Sequence, residues 1–566
     1  MMAKQAEEAF VLQDEEEHIY RSQFPAVPVP SDLTLPEFVL QNADSFSDKV
    51  AIVDAVTGKS FTYGQLLRDT RRFAKALIRS LGLRKAQVVV VALPNVVEYA
   101  TVALGIMSAG GVFSGVNPQA HATEIQKQVE NADAKLIVTT ATFYDKVKGL
   151  NLPTILVGED YVSGTIHWND LLAAAECGGT EEFDDAVNQN DLCALPYSSG
   201  TTGTSKGVML THRNLVANLC STLFSVSPDM VGQFTTLGLM PFFHIYGTVV
   251  IWCSTLRNKG KIVVMGKFEL KAFLSALIKH EVNFAPIVPP IMLALVKNPI
   301  IDEFDIRQLK LKAVMTAAAP LAPDLLRAFE EKFPGVQVQE VYGLTEHSII
   351  TLTHGDPNKG QRSAKKNSVG FILPNLEVKF IDPDTGRSLP RNTPGELCVR
   401  SPCVMHGYYR NKEETRRTID SKAWLHTGDV GFIDDDGDVF IVDRIKELIK
   451  YKGFQASFLS MVAPAELEAI LLSHPSVQDA AVVPFPDEKA GEIPAACVVI
   501  SPNAKESEED MKKYVSSNVA TYKRVRVVQF VQNIPKSAAG KILRRTVRDD
   551  MLRRMQATKN DSDQGA

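Results

Sequence analysis

Apolar positions along this chain come as short unbroken runs alternating with longer amphipathic stretches. Residues 88–93 form an apolar run of strand length, residues 97–108 read as a buried or amphipathic helix, and 136–140 as a second strand. The pattern recurs with strands at 237–241, 261–265 and 284–288, a helix over 270–280, a strand at 312–316 and a helix over 324–333. Such alternation predicts parallel sheets joined by crossover helices. After about residue 368 the texture changes. Residues 377–381 and 395–399 read as short strands, and Asp382-Pro-Asp-Thr-Gly386 and Asp434-Asp-Asp-Gly437 as turns. The second turn resembles a calcium loop, but its glycine comes one place early and the distant acidic ligand is missing, so a hairpin turn is expected. From Pro464 a compact module follows, with helices at 465–473 and 508–519 and strands at 480–484, 495–500 and 525–530. The fold class expected is α/β: a large N-terminal domain of stacked, mainly parallel sheets with helices, a small β-rich subdomain, and a small α+β C-terminal domain.

With 566 residues the chain exceeds one hydrophobic core, and two to four domains are expected. Residues 1–30 read as disordered or loosely attached, 31–442 as the large domain, 443–446 as a break in composition, 447–550 as the small domain and 551–566 as a frayed tail. A net charge of −5 offers nucleic acid no global attraction, so none is expected as a partner. The seven cysteines are scattered without a Cys-x-x-Cys pair, which indicates neither zinc nor a disulfide framework and suits a reducing compartment. The polar N-terminus carries Asp14-Glu-Glu-Glu17, unlike a secretory signal, and the chain ends in Asp563-Gln-Gly-Ala566, unlike a peroxisomal tripeptide, so a cytoplasmic location is expected. Two stretches without formal charge, 99–123 and 230–256, are interrupted by glycine and proline and read as buried core, not as membrane spans.

The chemistry concentrates in one run, Ser198-Ser199-Gly200-Thr201-Thr202-Gly203-Thr204-Ser205-Lys206-Gly207, made only of hydroxyls, glycines and one lysine. Apolar residues 195–197 and 208–210 flank it, so it reads as a loop between two strands. Glycines let a backbone approach its ligand closely, and exposed N–H groups with a lysine suit phosphate oxygens. The common phosphate loop requires Gly-Lys-Ser/Thr, which is absent here, and this weakens a kinase or P-loop reading. Other segments are less specific: Met240-Pro-Phe-Phe-His-Ile-Tyr-Gly247, Glu340-Val-Tyr-Gly-Leu-Thr-Glu346, Trp424-Leu-His-Thr-Gly-Asp429, Val442-Asp-Arg-Ile-Lys446 and Ile534-Pro-Lys-Ser-Ala-Ala-Gly-Lys541. Taken alone, His244 reads as a core histidine and the last two segments as solvated surface charge.

Together and in this order, over residues 20–550, these motifs resemble the adenylate-forming superfamily of acyl-CoA synthetases, luciferases and adenylation domains. The ten-residue loop and Gly395-Glu-Leu-Cys-Val-Arg400 resemble the plant 4-coumarate–CoA ligase group. Residues 242–247, Met315-Thr-Ala-Ala-Ala-Pro320, Leu344-Thr-Glu-His347 and Thr351-Leu-Thr-His-Gly-Asp-Pro357 are similar to its fatty acyl-CoA synthetase branch in the anther tapetum, which serves sporopollenin.

The resemblance implies two half-reactions: a carboxylate attacks the α-phosphate of ATP to give acyl-adenylate and pyrophosphate, and coenzyme A then displaces AMP. ATP, Mg²⁺ and coenzyme A are thus implied, with a small carboxylic acid as the other substrate, no transmembrane segment, and peripheral association with the endoplasmic reticulum beside enzymes of the same pathway. Ser198, Ser199, Gly200, Thr201, Thr202, Gly203 and Lys206 would hold the β- and γ-phosphates, and Thr345 the α-phosphate. Glu346 would ligate Mg²⁺. Ala318, Glu340, Val341 and Tyr342 would surround adenine, and Asp429 with Arg444 would hold the ribose. The catalytic set implied is Lys541, His244, Lys446, Lys450 and Gln455, with Lys541 bridging both anions and Lys446 the hinge of a mobile small domain over 443–446. Lys267, Lys452 and Gly453 would meet coenzyme A, and Tyr246 and Val250 the acyl group.

Hydroxycinnamate ligases usually carry Gln-Gly before Tyr-Gly and often a polar residue four places after the motif tyrosine; here stand Glu340-Val341 and Val250. The expectation is therefore a medium- or long-chain fatty acid, hydroxylated or not, with hydroxycinnamate as the alternative. The family reads Lys-Gly-Phe-Gln directly into Val-Ala-Pro-Ala-Glu; here Ala456-Ser-Phe-Leu-Ser-Met461 intervenes. A second alternative is accordingly an adenylate-binding protein impaired in the thioester step.

Overall fold

The computed structural model describes residues 17–176, 186–198, 205–226, 228–317, 319, 321–353, 362–449, 462–487, 490–502, 504–537 and 540–563. Among them, two nine-stranded sheets, one five-stranded sheet and one three-stranded sheet carry the fold. In the first large sheet Val112–Gly115, Val88–Ala92, Leu136–Thr139, Thr154–Leu156 and Ile166–His167 run parallel. Leu192–Ala194 adds a parallel neighbour, then Lys206–Thr211 and Tyr197–Ser198 continue antiparallel. In the second, six strands run parallel in the order Gln337–Leu344, Ala313–Thr316, Phe284–Ile287, Thr235–Gly238, Lys261–Val264 and Val50–Asp54. The reason is visible in composition: Val88–Ala92 is buried at every position, as a strand covered on both faces must be. Each such valine contributes about 1.5–3 kcal/mol by leaving water.

Both uncharged stretches are largely interior, with exposed residues at 119–123 and 231–233. The first supplies helix Tyr99–Ser108, buried from Tyr99 through Met107, as a helix apolar on all faces must be. Gly105 lets the helix close on Phe73; a Cβ there would stand 2.6 Å from that ring. The second supplies strand Thr235–Gly238 and a buried π-helix, Gly247–Cys253. Among the described residues no helix is long and apolar enough to cross a membrane.

The strand expected at 237–241 instead spans Thr235–Gly238. The cause is Asn95: its Nδ2 donates to the carbonyls of Gly238, Leu239 and Met240, and its Oδ1 accepts the Phe242 N–H, so the chain leaves the sheet there. Residues 434–437 form the expected hairpin turn, with the Asp434 carboxylate accepting the N–H groups of Asp436 and Asp438.

The antiparallel sheet runs Tyr20–Arg21, Glu377–Ile381, Gly395–Arg400, Leu425–Ile433 and Val439–Arg444. Its first member corrects the expected looseness of 1–30: residues 17–30 are docked, with Phe24 buried and Val27 exchanging hydrogen bonds with Asn375. The C-terminal sheet joins Val477–Asp487, Gly491–Ile500 and Val527–Phe530. The frayed tail expected at 551–566 is likewise corrected. Helix Arg544–Asp563 runs through it, because Val547 and Met551 bury one face against that sheet.

Candidate active site

Two adjoining clusters form where the antiparallel edge of the first large sheet, the end of strand Gln337–Leu344 and the antiparallel sheet come together. The first gathers around Lys206. Ser198 and Lys206 face each other across an antiparallel pair, and Ser205 Oγ donates to the Ser198 carbonyl at 3.0 Å, so the two ends of the glycine-rich loop are tied. Strand Gly407–Tyr408 pairs with Val208 and Met209. It thereby brings the Tyr408 ring to 5.1 Å from Lys206 Nζ and its hydroxyl to 2.9 Å from Glu346 Oε1. Lys206 is ion-paired with Glu414 of helix Lys412–Thr418. That hydrogen bond holds the Glu414 carboxyl below its usual range, helped by the charge of exposed Lys446.

The second cluster is built on cross-strand neighbours Asp429 and Arg444. Asp429 is buried, accepting from Tyr342 Oη at 2.7 Å and pairing with Arg444 Nε at 3.1 Å. Burial pushes its carboxyl up, while Arg444 and the tyrosine hydroxyl pull it back. Lys541, from the small domain, reaches into the same place. Its ammonium is 3.8 Å from Glu447 Oε1 and is pushed down to about 8 by burial and by repulsion from Arg444, with Glu447 and Asp429 opposing. Arg444 also feels the Glu346 carboxylate, so the clusters share one electrostatic neighbourhood.

His244 and Tyr246 follow the turn held by Asn95. His244 Nδ1 accepts the Tyr246 N–H at 3.2 Å, and burial pushes the imidazole down to about 4, so it is neutral at pH 7. Tyr246 Oη donates to the Met315 carbonyl at 2.9 Å. Val250 lies buried in the π-helix, and Val341 and Thr345 are buried at the neighbouring strand end. Glu340 pairs in register with Thr316, and its carboxylate has no protein partner among the described residues; burial pushes it up to about 7. Lys267 stands apart, exposed in the turn before helix Leu270–Lys279. Ser199, Gly200, Thr201, Thr202, Gly203, Ala318, Lys450, Lys452, Gly453 and Gln455 lie outside the described residues.

The buried Asp429–Arg444 pair, a lysine entering from the C-terminal module and the Lys206–Tyr408–Glu346 group next to the described ends of the Ser/Gly run thus lie in one neighbourhood. The profile of the AMP-binding enzyme family matches residues 39–409, and that of the AMP-binding enzyme C-terminal domain matches 466–541. The chain belongs to the AMP-binding enzymes. Within that family it falls in the plant 4-coumarate–CoA ligase-like group. It is 68% identical over 541 residues to 4-coumarate–CoA ligase-like 1 of Arabidopsis thaliana, covering 95% of this chain and 98% of that one. It is 64% identical over 558 residues to 4-coumarate–CoA ligase-like 9 of Oryza sativa subsp. japonica, covering 98% and 99%. The fold is similar to the crystal structure of ATP-bound MatB from Rhodopseudomonas palustris (TM-score 0.79, 26% identity, covering 92% of this chain and 99% of that one). As an AMP-binding enzyme of this group the protein is an ATP-dependent acid–CoA ligase working through an adenylate.

Several residues of this AMP-binding enzyme escaped the motif reading. Tyr408 and Glu414 meet Lys206, Glu447 meets Lys541, and Asn95 shapes the turn before His244. Glu396 accepts both His426 Nδ1–H and the Gly428 N–H at 3.1 Å, which steadies the left-handed Gly428 beside Asp429. Only Asn95, a polar residue closing an apolar strand after Pro94, gave a local signal. The reading of 442–446 and 534–541 as solvated charge is corrected in part: Arg444 is paired with Asp429, Lys536 with Asp479 and Lys541 with Glu447, whereas Lys446 is exposed.

Proposed function

We propose that this ligase activates a medium- or long-chain fatty acid, with or without a hydroxyl, as a precursor for pollen-wall sporopollenin. The observation that carries the reading is the apolar wall. Val250 and Val341 are 4% and 7% exposed, and the neighbouring Tyr246 hydroxyl is already spent on the Met315 carbonyl. A phenol buried there without a partner would cost about 1–3 kcal/mol, whereas each methylene gains about 0.8 kcal/mol.

Two anions must meet in the first half-reaction, so charge neutralisation dominates. Lys206 with the 198–203 loop would hold the outer phosphates. Glu346 suits Mg²⁺: one oxygen takes the Tyr408 hydroxyl and the other has no protein donor among the described residues, an arrangement fit for a hard dication. The metal would spread charge from the leaving pyrophosphate. Thr345 would contact the α-phosphate, Tyr342 and Ala318 adenine, and Asp429 with Arg444 the ribose hydroxyls. The Lys541 ammonium would span the attacking carboxylate and the α-phosphate, as a compact charge on a flexible stem can. Rotation about Lys446 would then withdraw Lys541 and admit the thiol, with Lys267, Lys452 and Gly453 on the coenzyme A side.

The names of the plant relatives favour a second reading, a hydroxycinnamate ligase. Acid-dependent ATP–pyrophosphate exchange with dodecanoate, hexadecanoate, 16-hydroxyhexadecanoate and 4-coumarate separates the two. Faster exchange with an aliphatic acid is expected; faster exchange with 4-coumarate would reject the fatty-acid reading.

A further inference from the structure

A cavity of about 540 Å³ opens between the N-terminal segment, helix Leu35–Leu40 and helix His212–Thr222, and it shares no residue with the candidate active site. Its volume lies in the range of small-molecule pockets, roughly 300–1,000 Å³. Phe38, Phe46, Leu219, Leu223 and Phe224 give the lining its apolar part, and two cations, Arg257 and Lys259, also line it.

These cations are unusual in their company. Lys259 is 2% exposed, and its ammonium donates to the carbonyls of Val39, Leu256 and Arg257 at 3.2, 3.0 and 3.2 Å, which uses all three of its donors. Burial and the Arg257 charge push it down to about 8. The Arg257 guanidinium lies 4.4 Å over the Phe38 ring and has no hydrogen bond or carboxylate partner among the described residues. Burial pushes it down, opposed by the Cys220 thiol. Lys49, bonded to the Gly232 carbonyl and 6.0 Å from the Phe46 ring, adds a third positive charge nearby. A planar fork of donors facing an apolar cavity, with no acid to neutralise it, matches a carboxylate bound edge-on.

We propose that this cavity is a second binding site, for a free acyl carboxylate: the head group on Arg257, the aliphatic chain along Phe46, Leu219, Leu223 and Phe224. The charge count favours a monoanion, because Lys259 is saturated by carbonyls and Arg257 is the one lining cation, among the described residues, with donors to give. The proposal goes beyond the ligase chemistry and does not depend on which acid the active site takes.

The test uses the full chain without ATP and a diazirine-bearing hexadecanoic acid as photoprobe, with labelled peptides mapped by mass spectrometry. Labelling is expected on peptides spanning residues 38–46 and 219–231. It should fall on the order of tenfold in Arg257→Gln, which loses a charge-assisted pair, and in Leu223→Trp, which fills the wall. Both variants should keep acid-dependent ATP–pyrophosphate exchange, and Arg257→Lys should label at an intermediate level. Three results would overturn the proposal: no labelling of these peptides, labelling confined to the peptide carrying Tyr246 and Val250, or labelling indifferent to both variants. Labelling seen only when the diazirine is carried by phosphatidylglycerol in vesicles would assign the cavity to a membrane lipid instead. If a variant fails to fold, the peptide labelled in the unaltered chain still decides.

Discussion

In the proposed mechanism, Lys541 carries the chemistry at the scale of single residues. Replacing it by alanine should lower adenylate formation by about 10³-fold, the scale of a lost charge stabiliser, while thioester formation from supplied acyl-adenylate persists. Equal losses in both half-reactions would contradict the role. Because its pKa is lowered to about 8, the charged form disappears as pH rises through that value. The free enzyme's kcat/KM for adenylation should therefore fall on an alkaline limb near pH 8, and Lys541→Arg should move that limb upward. Glu340 gives the opposite sign. Its carboxyl is raised to about 7, so between the ordinary carboxylate range and pH 7 the folded chain holds a proton that the unfolded chain has lost. Stability should decline across that window, and Glu340→Gln should flatten the decline in urea midpoints measured at pH 5 and pH 8. The reactive charges were legible because they sit in motifs. Their partners were not: Glu414 lies 208 residues from Lys206, and nothing local marks it.

At the scale of elements, one side chain sets where a strand stops. Asn95→Ala would take their side-chain partner from the Phe242 N–H and the Leu239 and Met240 carbonyls, while Gly238 keeps the Met265 N–H, at a cost of about 1–3 kcal/mol. A lower Tm is expected together with a raised KM for the acid, because the turn carries His244 and Tyr246; a lower Tm with an unchanged KM would confine Asn95 to stability. Gly247 opens the π-helix where the backbone doubles back, and a Cβ there would lie 2.1 Å from the Pro241 carbonyl oxygen, so no larger residue fits without moving the turn. Strands such as Lys261–Val264 were legible to within a residue, since burial on both faces writes itself as an apolar run. Residues 17–30 and helix Arg544–Asp563 were not, because each uses only a few apolar anchors in a polar stretch.

At the scale of the molecule, the two domains meet with Lys541 in the electrostatic neighbourhood of Asp429 and Arg444. Arg544 ties the interdomain segment to the small domain through Glu447 and Glu468, Lys297 donates to the Val477 carbonyl at 3.0 Å, and Gly540 sits against Val288. Ile449 and Val462 are joined by reciprocal backbone hydrogen bonds of 2.9 and 3.1 Å, so the ends of segment 450–461 are held together whatever its length. Deleting 456–461 halves that segment and changes loop closure by only about 0.6 kcal/mol, so adenylate formation should survive. The thioester rate should rise several-fold; an unchanged rate would clear the insertion of hindering coenzyme A. The sequence by itself determined the alternating layers, the family and the order of charged motifs, because periodicity and local chemistry are properties of neighbouring residues. Only the tertiary structure decided which charges neutralise one another, how far Lys541 reaches and that a second cation-lined cavity exists. Those depend on distances between residues hundreds of positions apart, and burial alters their charge in ways no local pattern records.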